Sequence, residues 1–326
     1  MATRPILTVT LNPALDLMTA TAQVSPGQKL RCDDAVSNPG GGGLNVSRAI
    51  ANLGGASHAL VALGGATGDR MAGLIAKTGQ SFDRLEAPGE TRTSFAVGDR
   101  TSGHQYRFIM PGPAWSDQQA GEALARCIGA AQPDSLVVLS GSFPPGVGAT
   151  FIQSLALALA PMKSKLLIDT SGPVLAALAK GSPQDARPAL IRISDTEAAE
   201  IAGHRMSNVN KAATLASDLH SVRVAEAVII SVGSDGSVLA TSDGVQFCRA
   251  ARVPLVSKLG AGDSFMAGAT LALANGSDWI SALDAGTAAA CAAVMAPGTE
   301  LCAKAETDRL RPLCETRTVF AARGAA

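Results

Sequence analysis

Residues 39–48 read Pro-Gly-Gly-Gly-Gly-Leu-Asn-Val-Ser-Arg, four successive glycines that open into an amphipathic helix ending at Gly54-Gly55. Residues without a Cβ let the backbone approach a ligand closely, and the first turn of a helix presents free N–H groups. Asn45 adds a side-chain amide to that turn. The stretch predicts a binding loop, although a surface loop with a helix cap has the same pattern. It matches neither GxGxxG nor GxxxxGK[ST], so neither a dinucleotide-binding fold nor a P-loop is supported.

Around this loop, short apolar runs alternate with Ala- and Leu-rich helical stretches. The predicted strands are residues 6–10, 59–63, 135–139, 165–169, 189–193 and 227–232. Such alternation favours an α/β fold, in which a parallel sheet is covered by helices on both faces. Residues 261–313 predict three further helical stretches, broken at Asn275-Gly276 and Pro297-Gly298.

Two segments, residues 16–36 and 91–110, carry strand-like patterns that interrupt the alternation. Within the second segment, residues 91–97 and 105–110 predict the two strands of a hairpin. We expect the two segments to form a small separate β-sheet that closes over the end of the main sheet as a lid. The main α/β domain would then comprise residues 1–15, 37–90 and 111–326.

Composition excludes several classes of protein. Hydrophobic residues make up 47% of the 326 residues, and 27 Lys and Arg balance 27 Asp and Glu, so we expect neither disorder nor attraction to nucleic acid. Six cysteines without a CxxC pair and four scattered histidines argue against structural zinc. The apolar run at residues 6–11 is too short for a signal sequence or a membrane span. These features predict a reduced, cytoplasmic protein with no membrane partner.

A second glycine motif, Leu259-Gly260-Ala261-Gly262-Asp263, precedes a helical run. Consecutive backbone N–H groups at a helix start can converge on an oxyanion or a migrating phosphoryl group. Asp263 in the first turn can accept a proton from a substrate hydroxyl, which phosphoryl transfer requires. An ordinary N-terminal helix acid is the alternative interpretation of Asp263.

Several charged residues fall within the two lid segments. The cations Lys29, Arg31, Arg92 and Arg107 could clamp a substrate phosphate, and Asp16 could bind sugar hydroxyls. Each cation taken alone has the pattern of a solvated surface charge. Their shared location in the predicted lid favours a functional role.

The two glycine motifs together make the chain resemble the ribokinase-like (PfkB) sugar kinases over nearly its whole length. Thr10-Leu11-Asn12-Pro13-Ala14-Leu15-Asp16 resembles the branch of sugar-phosphate kinases that contains phosphofructokinases and tagatose-6-phosphate kinases. The segments at 29–32, 105–112 and 140–147 resemble the minor bacterial ATP-dependent 6-phosphofructokinases within that branch. The resemblance implies a three-layer sandwich with a mostly parallel central sheet and a small β-sheet lid.

The resemblance also implies roles for individual residues. The catalytic positions are Asp263 as the base and Gly260, Ala261 and Gly262 as the anion hole. The substrate positions are Asp16, Gly41, Gly42 and Asn45 around the sugar, Arg92, Arg107 and Ser142 at its phosphate, and Lys29 between that phosphate and the nucleotide. The nucleotide positions are Ser231, Gly233, Gly236 and Lys258, and Glu197 helps to organise the metal.

The implied reaction is transfer of a phosphoryl group from ATP, with Mg²⁺, to the 1-hydroxyl of fructose 6-phosphate, in a homodimer joined through its lids. Gly42 stands where 1-phosphofructokinases and tagatose-6-phosphate kinases usually carry Lys, which favours fructose 6-phosphate as the acceptor. Fructose 1-phosphate, tagatose 6-phosphate or a nucleoside as acceptor are the alternatives within the fold. A non-catalytic sensor of sugar phosphate is the alternative from another class.

Three positions depart from the pattern of this branch. Arg192-Ile193-Ser194 replaces the usual Lys-Pro-Asn, and Glu300 stands where close relatives have Arg. Lys258 occupies a usual Thr position. We hypothesise that its ammonium group supplies the charge that a bound K⁺ supplies in relatives.

Overall fold

The computed structural model describes residues 3–206 and 208–321. Its strands, in chain order, are β1 (Ile6–Thr10), β2 (Ala14–Thr21), β3 (Val36–Gly40), β4 (His58–Leu63), β5 (Phe82–Glu86), β6 (Arg92–Asp99), β7 (Gln105–Ile109), β8 (Leu136–Ser140), β9 (Lys165–Asp169), β10 (Leu190–Ile193), β11 (Ala227–Ser231), β12 (Gly236–Thr241), β13 (Gly244–Arg249) and β14 (Glu315–Ala321). Its α-helices are α1 (Gly42–Asn52), α2 (Gly65–Lys77), α3 (Asp117–Ala130), α4 (Ala149–Leu159), α5 (Gly172–Leu178), α6 (Asp195–Ala202), α7 (Val209–Ser221), α8 (Ala261–Ala274), α9 (Trp279–Val294) and α10 (Lys304–Leu310).

Ten strands form the main sheet in the order β14-β13-β12-β11-β10-β9-β8-β1-β4-β5. The strands from β11 to β5 are parallel, and β12, β13 and β14 continue the sheet in antiparallel pairs. All six predicted strands are present, and each end lies within one residue of its predicted position. The prediction of a mostly parallel α/β sheet is therefore confirmed. It omitted β5, β12, β13 and β14.

Apolar side chains cover both faces of the main sheet. One face packs against a layer that includes Ile152 and Leu155 of α4, and the other against Ile50 of α1 and Phe265 of α8. Strands buried on both faces have near-continuous apolar sequences, as in Leu136–Ser140. The result is the expected three-layer sandwich. None of the described helices is long and apolar enough to cross a membrane.

A second sheet contains four strands in the order β3-β2-β6-β7. β2 pairs in parallel with β6, and the pairs β2–β3 and β6–β7 are antiparallel. The predicted hairpin is present as β6 and β7. β7 is exposed along its whole length, so none of the described residues covers this edge of the small sheet. The division of the chain into a main domain and a lid at the predicted boundaries stays a prediction.

Candidate active site

The two glycine motifs meet at the edge where the parallel strands end. Asn45 in the first turn of α1 donates a hydrogen bond of 2.9 Å from Nδ2 to Oδ2 of Asp263 in the first turn of α8. Gly260 caps α8 with φ of 73°, a left-handed conformation that glycine adopts without strain. Two helix N-termini from distant parts of the sequence are thereby directed at one point, where their free N–H groups and dipoles favour negative charge.

The surroundings of Asp263 raise the pKa of its carboxyl group, so it binds a proton more tightly than an exposed aspartate does. Burial, and next to it the negative charge of Asp169, raise the pKa of Asp263 to about 7. The hydrogen bond from Asn45 and the charges of Arg192 and Arg48 act in the opposite direction. A carboxyl group with a pKa near 7 can exchange a proton at neutral pH, which suits a general base. The Asp263 side chain is only half-buried, so a substrate can reach it.

A buried charge cluster lies beside the second glycine motif. Arg192 on β10 is opposite Asp169 on β9 in the sheet register, and its Nη1 is 3.5 Å from Asp169 Oδ1. Its Nη2 donates a 3.1 Å hydrogen bond to the hydroxyl of Ser231. A Cβ on Gly262 would lie 2.6 Å from Nη1 of Arg192. The guanidinium therefore lies against the backbone of the predicted anion hole, and a side chain at position 262 would require it to shift.

The glycine run 40–43 is divided between a strand, a junction and a helix, which corrects the expectation of a four-residue loop. Gly40 ends β3, Gly41 caps α1 with φ of 142°, and Gly42 and Gly43 belong to the first turn of α1. A Cβ on Gly42 would lie 2.6 Å from the backbone nitrogen of Gly141. A side chain at position 42 does not fit unless the backbone moves.

Arg92 anchors the small sheet to the edge of the main sheet. Its guanidinium donates hydrogen bonds to the carbonyl of Asn12 at 3.0 and 3.2 Å, to the carbonyl of Met110 at 3.2 Å, and to the hydroxyl of Ser142 at 3.3 Å. The side-chain amide of Asn12 donates to the same hydroxyl at 3.2 Å. Arg92 and Ser142, both predicted at the substrate phosphate, are thus neighbours.

Asp16 and Arg107 face each other across the small sheet. Burial raises the pKa of the Asp16 carboxyl, against a hydrogen bond from Ser94 and the charges of Arg107 and Arg92. A shallow hollow is lined by Asp16, Ser94 and Arg107 on one side and by Leu259 and Thr299 on the other. The small sheet therefore lies over the segment that leads into Gly260.

The predicted nucleotide positions lie along the same edge of the main sheet, but their contacts differ from one position to the next. Ser231 is bound to Arg192, and Gly233, with φ of 56°, forms part of the turn between β11 and β12. Gly236 has φ of 135° and lies so close to β13 that a Cβ would be 2.8 Å from the backbone nitrogen of Ala250. The close packing of β12 against β13 is therefore enough to require glycine at position 236, independently of any role in nucleotide binding. Lys258 and Lys29 are exposed, and neither makes a hydrogen bond or ion pair within the described residues.

Glu197 lies in the first turn of α6. One of its oxygens, Oε2, accepts a 2.8 Å hydrogen bond from the backbone of Ser194, whose hydroxyl accepts one from the Glu197 backbone in return. Burial raises the pKa of Asp169, and the negative charge of Glu197 adds to that effect against the positive charge of Arg192. Hard oxygen donors of this kind fit a divalent cation that takes most of its ligands from phosphate and water. Residues 3–206 and 208–321 contain no cluster of three or more His, Cys, Asp or Glu that could enclose a metal alone.

The fold and this edge define a class of protein. The family model described as "pfkB family carbohydrate kinase" matches residues 9–306. The chain therefore belongs to the pfkB family of carbohydrate kinases, which are phosphotransferases with an alcohol group as acceptor. Membership of this family implies ATP and a divalent metal as cofactors.

Two relatives match over almost the whole chain. The "ATP-dependent 6-phosphofructokinase isozyme 2" of Mycobacterium tuberculosis is 35% identical over 96% of this chain and 91% of that protein. The crystal structure of phosphofructokinase-2 from Escherichia coli in complex with potassium superposes with a TM-score of 0.86 at 32% identity, covering 95% of this chain and 99% of that one. The E. coli protein has also been solved in complex with fructose-6-phosphate and as a tetrameric inhibited form, with TM-scores of 0.84 and 0.85 at the same identity and coverage.

Sequence reasoning assigned no role to several residues that the structure brings to this edge. They are Asn12, Arg48, Ser94, Asp169 and Arg192. Asn12 belongs to the family-like segment 10–16, and Arg48 follows Asn45 by three residues, the spacing that puts both on one face of a helix. Arg192 was noted only as a substitution. Asp169 and Ser94 had no local signal.

Proposed function

We propose that this protein is an ATP-dependent kinase that phosphorylates fructose 6-phosphate at its 1-hydroxyl to give fructose 1,6-bisphosphate. The observation that carries the proposal is Asp263, hydrogen-bonded by Asn45 at the N-terminus of α8 and held at a pKa of about 7. The comparison with the 35% identical 6-phosphofructokinase of M. tuberculosis supports the choice of acceptor.

In this proposal Asp263 accepts the proton of the sugar hydroxyl while the hydroxyl oxygen bonds to the γ-phosphorus of ATP and ADP leaves. The amides of Gly260, Ala261 and Gly262 bind the charge on the transferred group. Arg192 lies against Gly262 and adds a positive charge beside that group. The same charge favours the ionised form of Asp263, so it helps to keep the base ready to accept a proton.

The sugar phosphate would bind between the small sheet and the main sheet. Arg92 and Ser142 are already adjacent there, and Asn12 orients the hydroxyl. Arg107 supplies a second cation, and Asp16, Gly41, Gly42 and Asn45 surround the sugar hydroxyls. Lys29 is in the exposed loop between β2 and β3, where its ammonium group would contact the substrate phosphate and the nucleotide.

The nucleotide would lie along the turn after β11, at Ser231, Gly233 and Gly236. Glu197 is the residue that would hold Mg²⁺, which neutralises charge on the triphosphate when bound. Lys258 lies two residues before Gly260, where its ammonium group is free to add positive charge near the phosphates. The reduced, cytoplasmic location expected from the sequence belongs to this proposal and agrees with six free cysteines.

A homodimer through the small sheet completes the proposal. Val36, Phe108 and Ile109 are apolar side chains of this sheet with exposed fractions of 61%, 54% and 63%. Exposed apolar residues along an uncovered edge strand favour pairing with another sheet. A second copy of the chain covers them symmetrically. This arrangement would make the small sheet both a substrate clamp and a dimer contact.

The competing acceptors are fructose 1-phosphate and tagatose 6-phosphate. Glycine at position 42, where kinases for those acceptors usually carry Lys, supports fructose 6-phosphate as the acceptor, and the backbone of Gly141 leaves no space there for a lysine side chain. That space distinguishes this chain from kinases with Lys at the position.

The proposal is tested by ADP release with Mg-ATP and one acceptor at a time: fructose 6-phosphate, fructose 1-phosphate, tagatose 6-phosphate and unphosphorylated fructose. We expect the highest kcat/KM with fructose 6-phosphate, and phosphorus NMR of the product should show a new phosphate on the 1-carbon. Preference for another phosphorylated sugar would keep the mechanism and overturn the acceptor. No ADP release with any of them, from protein that binds ATP, would identify a sensor.

A further inference from the structure

A second cleft lies at the edge of the main sheet opposite to the one that holds Asp263, where β1 begins. α1 and α8 begin at the candidate active site and end at this cleft, which also takes in Arg4 and Pro5 before β1. With a rise of 1.5 Å per residue, the 11-residue α1 and the 14-residue α8 separate the two sites by about 15–20 Å. We call this region the distal cleft; it is lined by segments 3–5 and 53–56, by one face of α8 from Gly268 to Asn275, by Ala285, and by Lys304, Thr307, Asp308 and Arg311.

The distal cleft has the size and floor of a small-molecule site. Its volume is about 600 Å³, within the range of roughly 300–1,000 Å³ typical of ligand pockets. Leu53, Leu271 and Ala272 give an apolar floor. Among the lining helices, α8 and α9 approach each other closely through glycine: a Cβ on Gly268 would lie 2.6 Å from the carbonyl oxygen of Ala285.

One face of α10 and the residue after it supply charge to the distal cleft. Lys304, Thr307, Asp308 and Arg311 follow the i, i+3, i+4, i+7 spacing of one helix face, and all four line the cleft. Lys304 is bound to Asp308. Among residues 3–206 and 208–321, the guanidinium of Arg311 donates one hydrogen bond, of 3.4 Å, to the carbonyl of Ser281. With Arg4, the lining carries three cations and one carboxylate in a chain whose total charge is zero.

We propose that the distal cleft binds a small phosphate-bearing metabolite, with its phosphate held by Lys304 and Arg311 and its organic part against Leu53 and Leu271. Arg311 has N–H groups left for a bidentate contact with phosphate oxygens, and Lys304 can exchange Asp308 for a dianion. Arg4 contributes positive charge but is fixed by Asp134 at 3.0 Å. The organic part of the ligand would lie against the carboxyl ends of α1 and α8, whose partial negative charge disfavours the phosphate there.

The proposal is tested by thermal unfolding of the whole protein with phosphoenolpyruvate, 3-phosphoglycerate or inorganic phosphate as probes, and citrate as an anion without phosphate. We expect at least one phosphate probe to raise Tm by about 2–4 °C at roughly ten times its Kd. The rise should disappear in a Lys304→Glu, Arg311→Glu double variant, whose basal ADP release should stay unchanged because neither residue touches the active site.

Two variants control for charge and for the other phosphate site. Arg309→Glu makes one such charge reversal, half the charge change of the double variant, at a residue of α10 bound to Glu306 and outside the cleft, so it should retain the rise. Arg92→Ala should also retain it. The proposal is overturned if no phosphate probe raises Tm, if the rise survives the double variant, if Arg92→Ala abolishes it, or if citrate produces an equal rise through the same two residues.

Discussion

Asp263 and Arg107 are both charged side chains of the candidate active site, but the protein surrounds them in different ways. Asp263 is fixed by Asn45 and influenced by Asp169, Arg192 and Arg48. Arg107 is exposed on an edge strand, and Asp16 is its charged neighbour. The groups for proton and phosphoryl transfer at the edge of the main sheet are thus already held in place in the single chain. The substrate-binding groups of the small sheet need the substrate or a second copy of the chain to hold them.

The largest loss of activity is expected from a substitution at the edge of the main sheet, where Asp263 lies. Asp263→Asn should lower kcat for fructose 6-phosphate by about 10²–10⁴, the contribution of a general base, and leave KM almost unchanged. Steady-state ADP release measures both constants. Turnover close to that of the unmodified protein would contradict the role of Asp263.

Thermal stability provides the control for that variant. The folded-state pKa of Asp263, about 7, lies above its value of 3.8 in the unfolded chain. The folded protein therefore binds more protons between these values, and the contribution of Asp263 to stability falls as pH rises through this window. Because the asparagine side chain of the variant carries no charge, its Tm at about pH 8 should be no lower than that of the original chain.

Loss of Arg92 should produce the next largest effect. Hydrogen bonds to charged groups contribute about 1.5–3 kcal/mol, so Arg92→Ala should lower kcat/KM for fructose 6-phosphate by roughly 10- to 150-fold. The KM for ATP should change little, and Arg92→Lys should restore part of the loss. Equal losses with fructose 6-phosphate and with unphosphorylated fructose would show that Arg92 supports the small sheet rather than the substrate phosphate.

A smaller effect is expected from the charge cluster behind the anion hole. Arg192 favours the ionised form of Asp263, so Arg192→Met should raise the pKa of that carboxyl and move the rising limb of the pH–kcat curve by about one unit to higher pH. Ser231→Ala is the matched control, since it removes a hydrogen bond of Arg192 and keeps its charge. An unmoved limb in Arg192→Met would exclude Arg192 as a residue that tunes the charge of the base.

The smallest effect concerns monovalent cations. The free ammonium group of Lys258 should replace the charge of a bound K⁺, so turnover in KCl and NaCl of equal concentration should be nearly the same. Lys258→Thr, which restores the residue usual at this position, should introduce a requirement for K⁺. Strong stimulation of the unmodified protein by K⁺ over Na⁺ would contradict this function of Lys258.

Local sequence was sufficient to predict a strand where both faces of that strand are buried. The six predicted parallel strands, which lie between β1 and β11 in the sequence, have continuous apolar runs. In the same way, the glycines that open α1 and α8 mark the positions of Asn45 and Asp263, which contact each other. β14, with the sequence ETRTVFA, is largely exposed at the edge of the main sheet and therefore lacks an apolar run. Its pairing depends on β13, which is more than 60 residues away in sequence.

The cluster of Arg192, Asp169 and Ser231 was not predictable from local pattern because strand register creates it. Arg192 is opposite Asp169 on one neighbour and opposite Ile229 on the other, which places Ser231 on the same face two residues further along. Motif matching located Lys29 and Lys258 in the sequence but could not determine that both side chains are exposed. Roles inferred for individual residues from the motif stay predictions until the variants are measured.

The measurement that tests the central claim most directly is kcat for fructose 6-phosphate from about pH 5.5 to 8.5, for the original chain and Asp263→Asn. If Asp263 is the base, kcat of the original chain should rise tenfold per unit at low pH and level off with an apparent pKa near 7. The residual rate of the variant should show no such rise. A flat profile for the original chain, or the same rise in both proteins, would contradict the account.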